Sequence, residues 1–530
     1  MSRLPGGTRG RLLSVGAVVA GLAAVYGAGA VSHPATLGSN TQLGKASQAA
    51  VASAIRACPA PGSTGATAAS VVSAAVPAAT SPGSAVVTRL SAPGNAGPGA
   101  AVRTVTKPDV LNWSAVSAAP APQVKSAGTK KPAGTGTTGG TTGGGTTGGG
   151  TSGGAVTTMP GQGGVMVQAA GAMAQGLEVE QTSPGGLVSG QCPAPGTNFW
   201  FVGPGVASAA HIELYLMNTD SQSADVQVSA LTDSGPLLGS SDTGIVVPPH
   251  GMVVQSLGKL LRTSRVVALH VSTSVGRVAA AVRETKSAAA AGGWLPAAQA
   301  PSTSLVIPGL TSAVGSRDLY IVVPGNGNAQ IKVTAVTAKG SYQPTGGNGI
   351  DLAGDSAVAV RLPSLSGVAA SIRISSTAPV TASIMVPGGA AGAPGAISAA
   401  APPVSEQGIA AANPAGSAGS TDLVISAPGA AATVRIVAAT SKISFSGQAP
   451  TIVNVAAGHT VVTAVKPPRG GKAVDFSVEV TPAAGSGPVY VGRVITSGGV
   501  VRSIMPLTSA LTWVPLPATQ DSLAATGAGH

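Results

Sequence analysis

Charged and aromatic side chains are scarce in this chain of 530 residues. Asp, Glu, Lys and Arg together make up 9% of it, and there are five Tyr, four Trp and four Phe. So few cations exclude an extended basic groove, although the formal net charge is +12. Residues 1–131 hold eleven Lys or Arg and one acid, Asp109. Such a segment is more typical of contact with anionic lipid headgroups or wall polymers than with DNA. No nucleic-acid partner is expected.

Long apolar runs are also lacking, apart from residues 12–31. Arg3, Arg9 and Arg11 precede this run, and a basic flank followed by an apolar stretch predicts a secretory signal. Ala28-Gly29-Ala30 supplies the small residues of a cleavage site. The run also reaches the roughly 20 residues that a membrane span needs, so a retained anchor stays open. Both alternatives predict an extracytoplasmic protein, secreted or tethered to the cytoplasmic membrane, with its N-terminal segment near the membrane surface.

The chain has only two cysteines, Cys58 and Cys192, and each opens the pentapeptide Cys-Pro-Ala-Pro-Gly. A zinc site would need four clustered ligands, so the cysteines predict no metal site. An even number of cysteines in an oxidising compartment favours one disulfide. Gly134–Gly154 contains only Gly, Thr and Ser and cannot bury apolar surface. If the cysteines pair, this stretch is an insertion, and residues 55–125 fold against residues from 159 onward.

After Cys192 the sequence shows short apolar runs separated by Gly, Pro, Asp and Asn, which is an all-β pattern. An internal repeat aligns Val271, Ile374 and Val480, at spacings of 103 and 106 residues. The repeats are aligned to open at Phe199–Gly203, Leu305–Gly309 and Leu423–Ser426. A period of this size predicts tandem immunoglobulin-like β-sandwich modules.

The predicted organisation has seven segments, taken in chain order. They are a signal peptide or anchor helix at 1–31, a spacer at 32–54, a first sandwich module at 55–300 interrupted by a disordered, low-complexity linker at 126–158, a second module at 301–400, a third at 415–517 and a disordered tail at 518–530.

Phe199, Trp200 and Phe201 form the one aromatic cluster. Exposed rings can stack on sugars, so this cluster is the candidate ligand surface. The competing interpretation is core packing beside the Cys192 bridge, as in sandwich folds with a tryptophan on a disulfide. Strand alternation places His270 on the outer face of its strand, and Arg373 and Glu479 align with it. That variety indicates a solvated face.

Glu178 and Glu180 would lie about 6–7 Å apart on one face of a strand, which overlaps the spacing of inverting glycosidases. Charges that alternate with Leu and Val are equally typical of a solvent face, and we favour that interpretation. Asp233-Ser234-Gly235 and Asp242-Thr243-Gly244 match aspartic-protease triplets but lie nine residues apart. Turns explain them better.

The remaining motifs predict no chemistry. Gly150–Gly154 matches a nucleophile elbow without the strand and helix that it needs. Leu516–Gln520 departs from a sortase signal in its last residue. Turns and chain ends account for most of the histidines, which show no metal-ligand spacing; the six are His33, His211, His250, His270, His459 and His530. No catalytic, cofactor-binding or metal-binding residue is expected.

The arginine-led N-terminus, the segment Cys192–Gly203 and the closing strands around Gly487–Arg493 resemble an actinobacterial secreted family catalogued as domain of unknown function 5719. The likeness spans roughly residues 50–517 and departs in the Gly/Thr insertion. The resemblance implies a secreted or membrane-tethered envelope protein from a high-GC actinobacterium. It carries over no functional residues and no activity.

We therefore expect a non-enzymatic, exported cell-envelope protein that acts as a scaffold or protein-interaction surface. The expected partner is an unknown envelope protein or wall polymer, and no cofactor is expected. Two alternatives stay open. The first is a glycan- or wall-polymer-binding protein that uses the Trp200 region and the basic N-terminal segment. The second is a hydrolase with an unrecognised site.

Overall fold

The computed structural model shows a protein built almost entirely of β-strands, which confirms the predicted fold class. The described residues are 48–59, 70–74, 83–91, 101–105, 111–115, 164–182, 187–205, 211–238, 244–257, 261, 264–285, 293–363, 365, 367–389, 395–440, 443, 445–446, 448–469 and 476–516. The predicted signal or anchor helix, the linker at 126–158 and the tail at 518–530 lie outside them. Among the described residues, no helix is long and apolar enough to cross a membrane.

Nine strands precede the repeat: β1 Gln48–Ala50, β2 Ser53–Cys58, β3 Ser70–Ala74, β4 Gly83–Arg89, β5 Ala101–Val105, β6 Leu111–Ala115, β7 Val165–Gly171, β8 Glu180–Thr182 and β9 Ser189–Gln191. The first sandwich contains β10 Asn198–Pro204, β11 His211–Met217, β12 Ala224–Thr232, β13 Gly235–Leu238, β14 Ile245–Val247, β15 Met252–Ser256, β16 Val266–Val275, β17 Ala279–Thr285 and β18 Gly293–Leu295.

The second sandwich contains β19 Ser302–Leu310, β20 Arg317–Val323, β21 Ala329–Thr337, β22 Gly340–Tyr342, β23 Ile350–Leu352, β24 Ser356–Leu362, β25 Ala370–Val386 and β26 Ala396–Ala399. The third contains β27 Gly408–Asn413, a 3-10 turn at Gly416–Ala418, β28 Ser420–Ala427, β29 Ala432–Ala439, β30 Thr451–Val455, β31 His459–Val465, β32 Phe476–Pro482, β33 Tyr490–Ser497 and β34 Val500–Pro506. The last strand is β35 Trp513–Pro515.

The chain divides into two compact units, Ala50–Thr512 and a second formed by Met1–Ala49 with Trp513–His530. In the second unit only residues 48–49 and 513–516 are described, where β1 pairs with β35. All further description concerns the unit Ala50–Thr512.

Strands from both sides of the glycine-rich segment meet in one sheet. Its order is β2-β7-β4-β5, so β7 pairs with two strands that precede the segment. This N-terminal sheet is distinct from the two sheets of the sandwich that begins at β10, although it packs against that sandwich through Ala57, Met166 and Tyr215. The sequence placed residues 55–300 in a single module. The difference arises because the sandwich fills its core with its own two sheets, and the N-terminal sheet has a core of its own around Cys58, Val87 and Val167.

The same pair of sheets recurs in each sandwich. One sheet has the order β10-β16-β12, β19-β25-β21 or β27-β32-β29, and the other has β15-β11-β17-β18, β24-β20-β25-β26 or β31-β28-β33-β34. Val271, Ile374 and Val480 occupy the same central position, because they pair with Val228, Val333 and Ile436 respectively. In the second sandwich the 17-residue strand β25 belongs to both sheets.

The opening strand of the third repeat differs from the sequence alignment. Gly408 pairs with Val480 as Phe199 pairs with Val271, so β27 corresponds to β10 and β19. Leu423 lies in β28, which corresponds to β11 and β20. Strand β27 consists mainly of small residues, Gly-Ile-Ala-Ala-Ala, so it lacks the run of branched apolar residues that indicates a strand. It begins before residue 415, where the third module was predicted to start.

The alternation of side chains along each strand explains which residues form the cores of the sandwiches. In β12 the buried positions Val226, Val228 and Ala230 alternate with half-buried ones, as a strand with one core-facing side requires. The first and second sandwiches also bury part of their outer faces against each other. Trp200 and Ala268 of the first meet Tyr320 and Val322 of the second in one apolar cluster. Strands that are buried on both sides lose the polar alternation that a solvent face would show.

The second and third sandwiches are joined even more closely. Val424, Val494 and Ile504 of the third belong to the apolar core of the second. At this interface Gly309, with φ of 87°, lies against Gly492, and a Cβ on Gly492 would collide with the Gly309 backbone. Backbone atoms cannot move aside as a flexible side chain can, so the interface requires glycine at position 492.

Gly492→Ala is expected to lower the free energy of unfolding by about 2–3 kcal/mol, because the added methyl group overpacks two backbones. Gly429→Ala is the matched control, since a Cβ there meets nothing within 4 Å. The control should change stability by less than about 0.5 kcal/mol. Urea unfolding of the full chain measures both, and an equal loss in the two variants would contradict the interface described above.

Candidate functional site

The predicted disulfide is present between Cys58 at the end of β2 and Cys192 just after β9. Both side chains are fully buried, and the cysteines lie 134 residues apart in the sequence. Closing a loop of this size stabilises the fold by about 5 kcal/mol in the loop-entropy treatment. The bridge covalently attaches the N-terminal sheet to the β8–β9 strand pair, which forms one wall of the site described below.

Glu178 and Glu180 do not lie on a solvent face, and that prediction was wrong. Glu178 is 2% exposed and Glu180 is fully buried. The reason lies in the tertiary structure, because each carboxylate contacts an arginine from a distant part of the chain. Glu180 pairs with Arg493 of β33, and Glu178 lies 3.7 Å from Arg56 of β2. Alternation along one strand cannot show a cation that arrives from another sheet.

Arg493 is the centre of the buried network. Its Nη1 donates to Glu180 Oε2 and to the carbonyl oxygen of Ala411, both at 2.6 Å. Its Nη2 donates to Ser189 Oγ. The Ala411 amide donates to Glu180 Oε1 at 2.6 Å. Burial raises the pKa of Glu180 to about 7, while Arg493 and the Ala411 amide act in the opposite direction. The network therefore joins β8–β9 to strands β27 and β33 of the third sandwich.

Glu178 is held by a second set of contacts. Gln191 Nε2 donates to Glu178 Oε1 at 2.8 Å and to Thr508 Oγ1 at 3.0 Å. Burial raises the pKa of Glu178, and Arg56 opposes this increase. Both carboxylates are thus engaged by fixed donors. A glycosidase pair would instead flank an open space for substrate and water.

The aromatic cluster is buried too. Trp200 is 6% and Phe201 is 1% exposed, and Phe199 is half-buried against the core of the first sandwich. Phe201 points into that core, and Trp200 lies in the interface with the second sandwich. The cluster is therefore not a free ring surface for a sugar. Core packing is what the structure shows.

His270 is only half-buried, but it is not part of a solvated face. Its ring stacks on Trp200 with centroids 4.2 Å apart. Burial lowers the pKa of His270. Its aligned partners differ in their surroundings, since Arg373 is exposed and Glu479 is half-buried. The three aligned positions therefore differ in what covers them, and in the first sandwich the cover is the Trp200 ring.

Two other candidates, His250 and Asp233, lie in turns, as predicted, whereas His459 does not. His250 and Asp355 have positive φ of 48° and 52°, and Gly458 takes the equivalent turn position with φ of 74°. His459 begins the next strand. Asp233 lies in the turn between β12 and β13, where its Oδ1 accepts from the Arg265 amide at 3.0 Å.

Among the remaining candidates, His211 is an exposed residue that begins β11. Asp242, His33, His530 and Gly150–Gly154 lie outside the described residues, as does Leu516–Gln520 beyond its first residue. Within the described part of the chain, no three His, Cys, Asp or Glu side chains cluster in a way that could hold a metal ion.

Glu284 is a half-buried acid that the sequence did not single out. It continues the inward row of Ala280 and Val282 on β17, and a Cβ on Gly203 of the facing sheet would lie 3.1 Å from its Oε1. Burial raises the pKa of Glu284 to about 8. No described residue forms an ion pair or a hydrogen bond with its side chain. Its position in the period-2 pattern of β17 is the signal that could have indicated it.

A partly open cavity of about 240 Å³ lies where β8–β9, the first sandwich and the third sandwich meet. We call it the junction cavity. Its lining includes Gln181, Gly190, Trp294, Gln299 and Thr508, together with five prolines, at positions 59, 193, 296, 402 and 506. None of the described residues that line it is charged, and neither Glu178 nor Glu180 reaches it. The sequence did not indicate this site, because its walls come from segments that are distant from one another in the chain.

A comparison with known protein families gives one match. A family described as a family of unknown function (DUF5719) matches residues 149–468. The chain belongs to the DUF5719 family. Neither the curated proteins nor the solved structures contain a match to it.

In this DUF5719 member the matched region covers the first two sandwiches and the strands up to β31 of the third. It includes Glu178, Glu180 and Cys192 but ends before Arg493, and it begins after Cys58. The predicted likeness around Gly487–Arg493 and the actinobacterial origin stay predictions.

Either Arg493→Met or Glu180→Leu alone is expected to lower the free energy of unfolding by about 3–5 kcal/mol, since each leaves an uncompensated buried charge. The double variant should lose clearly less than the sum of the two. Thermal or urea unfolding of the three variants measures the coupling. Arg277→Met, which breaks the exposed pair with Asp220 at 2.8 Å, is the control and should cost less than about 1 kcal/mol. Strictly additive losses at Glu180 and Arg493 would refute the pairing.

Glu284→Gln is expected to flatten the dependence of stability on pH. The folded pKa of Glu284 is about 8, above its reference value of 4.5. Between these values the folded state binds a proton that the unfolded state has lost, so wild-type stability falls as pH rises from 4.5 to 8. The slope is at most about 1.4 kcal/mol per pH unit, and partial solvent contact of the side chain reduces it. Melting temperatures at pH 5 and pH 8.5 measure the effect. Equal pH-dependent losses in wild type and variant would contradict the raised pKa.

Proposed function

We propose that this chain is an exported, non-enzymatic protein of the cell envelope whose sandwiches form a scaffold for interaction with another protein. The proposal rests on the contacts that the buried carboxylates make where β8–β9 meets the third sandwich. Glu180 is engaged by Arg493, and Glu178 by Arg56 and Gln191. These contacts hold segments of the chain together, and the cavity beside them has no charged side chain among its described lining residues.

Continuous apolar packing supports a scaffold with fixed geometry. Domains within one chain normally move relative to each other unless their interface is large and hydrophobic. Here the first and second sandwiches share one apolar cluster, and residues of the third enter the core of the second. A partner would therefore meet the same arrangement of surfaces in every molecule.

The location outside the cytoplasm is supported by the disulfide, since structural disulfides persist in oxidising compartments. We place the protein in the envelope, secreted or tethered by its apolar N-terminal segment, with that segment near the membrane surface. The wall-polymer-binding alternative has less support, because Trp200 and Phe201 are buried. The hydrolase alternative has less support because the best acid pair does not line the cavity.

Photo-crosslinking in intact cells tests the scaffold. A photoreactive amino acid is placed at Val246, Val314 or Ile452, which are 63%, 81% and 51% exposed and lie on different sandwiches. We expect at least one site to trap the same envelope protein in repeated experiments. The buried position Val480 is the control and should trap no partner. Recovery of no partner from any exposed site would contradict a scaffold function.

A further inference from the structure

The junction cavity has one wall with an unsatisfied polar side chain. In the β8–β9 pair, Glu180 lies opposite Gln191 and Gln181 lies opposite Gly190. Side chains alternate along a strand, so Gln181 and Gly190 share the face that is turned away from Arg493. Gly190 touches the Trp294 ring: a Cβ there would lie 2.7 Å from Trp294 Cγ. Gln181 therefore shares a face with Gly190 beside Trp294, and all three residues line the cavity.

Gln181 is 3% exposed, and its Oε1 accepts no hydrogen bond from any described residue. A buried carbonyl oxygen without a donor costs about 1–3 kcal/mol. Two further polar groups line the same space. The Trp294 ring nitrogen and the Gln299 side-chain amide make no hydrogen bond within the described part of the chain. The cavity thus offers acceptor and donor groups that the fold itself leaves unused.

These groups restrict the chemistry of a ligand. Because none of the lining residues that the structure describes is charged, an ionic ligand would lose its hydration without compensation from them. A sugar ring carries a hydroxyl on most of its carbons, and each one left unpaired is costly. The cavity has three polar side-chain groups without a hydrogen-bond partner among the described residues, surrounded by prolines and a tryptophan. Three such groups are too few to pair with the hydroxyl groups of a sugar. A peptide segment fits better, since one apolar side chain comes with one backbone N–H and one carbonyl oxygen.

We propose that the junction cavity binds an uncharged peptide segment of a partner protein, with an apolar side chain against Trp294 and the surrounding prolines and a backbone N–H donated to Gln181 Oε1. This inference rests on the proposed function, because it assigns the scaffold a place where its partner docks. Binding sites for small ligands are often cavities at domain junctions with a few convergent polar groups, and the junction cavity has this form.

The test uses the full chain and two neutral probes. The first is the tripeptide alanyl-leucyl-alanine, capped with acetyl and amide groups, and the second is methyl glucoside. Saturation-transfer NMR reports binding of each probe. We expect transfer to the leucine methyl groups of the tripeptide and none to the sugar. Transfer to the sugar alone, or to neither probe, would overturn the proposal.

Gln181→Met separates binding from folding, because it replaces the unsatisfied amide with an apolar side chain of similar length. The variant should melt at an equal or higher temperature and bind the tripeptide at least roughly fivefold more weakly. Gln330→Met is the matched control, since Gln330 is an exposed glutamine of β21 in the second sandwich. It should leave binding unchanged. Unchanged tripeptide binding by Gln181→Met would contradict the proposed hydrogen bond to Gln181 Oε1.

Ala297→Trp is a second variant at an exposed lining position, where a large ring should block entry without disturbing the core. Loss of tripeptide binding with an unchanged melting temperature supports the cavity, and full retention contradicts it. The outcome also separates the two proposals. If the cavity variants bind normally while crosslinking still traps a partner at Val314 or Ile452, the scaffold stands and the docking site lies elsewhere. If both fail, neither proposal stands.

Discussion

The ion pair between Glu180 and Arg493 is the constraint on which the assembly of this chain depends. A buried carboxylate and guanidinium are costly unless each pairs with the other and further hydrogen bonds satisfy most of their remaining donors and acceptors. Ala411 and Ser189 supply such bonds from two further strands, and of the Arg493 guanidinium only Nε lacks a partner among the described residues. The β8–β9 pair can therefore dock in a single register against the third sandwich. This register also positions Gly190 against Trp294 and so shapes the junction cavity.

The sequence predicted the fold well where a single strand carries the information. The alignment of Val271, Ile374 and Val480 identified three equivalent strands, because a core strand needs branched apolar residues on its inner face. The pairing of Cys58 with Cys192 followed from a count of two in a chain expected to be exported. The small residues of β27 gave no such signal, so the opening strand of the third repeat was missed.

The site could not be predicted in the same way, because it depends on faces that other segments cover. Glu178 and Glu180 alternate with Leu177 and Val179, a pattern typical of a half-exposed strand, yet all four are buried. A local pattern reports which side chains share a face, and only tertiary structure shows what meets that face. Arg493 carried the one detectable hint, a lone cation in the apolar strand β33.

The strand pairing of the N-terminal sheet determines what a proteolytic cut would do to the protein. The glycine-rich stretch Gly134–Gly154 lies between Cys58 and Cys192, and β7 pairs with β2 and β4 from the other side of it. A single cut in that stretch would therefore not release the N-terminal piece. Hydrogen bonds of the sheet would hold the two fragments in place, and the disulfide would join them covalently. A nicked molecule stays one molecule for as long as its bridge is oxidised.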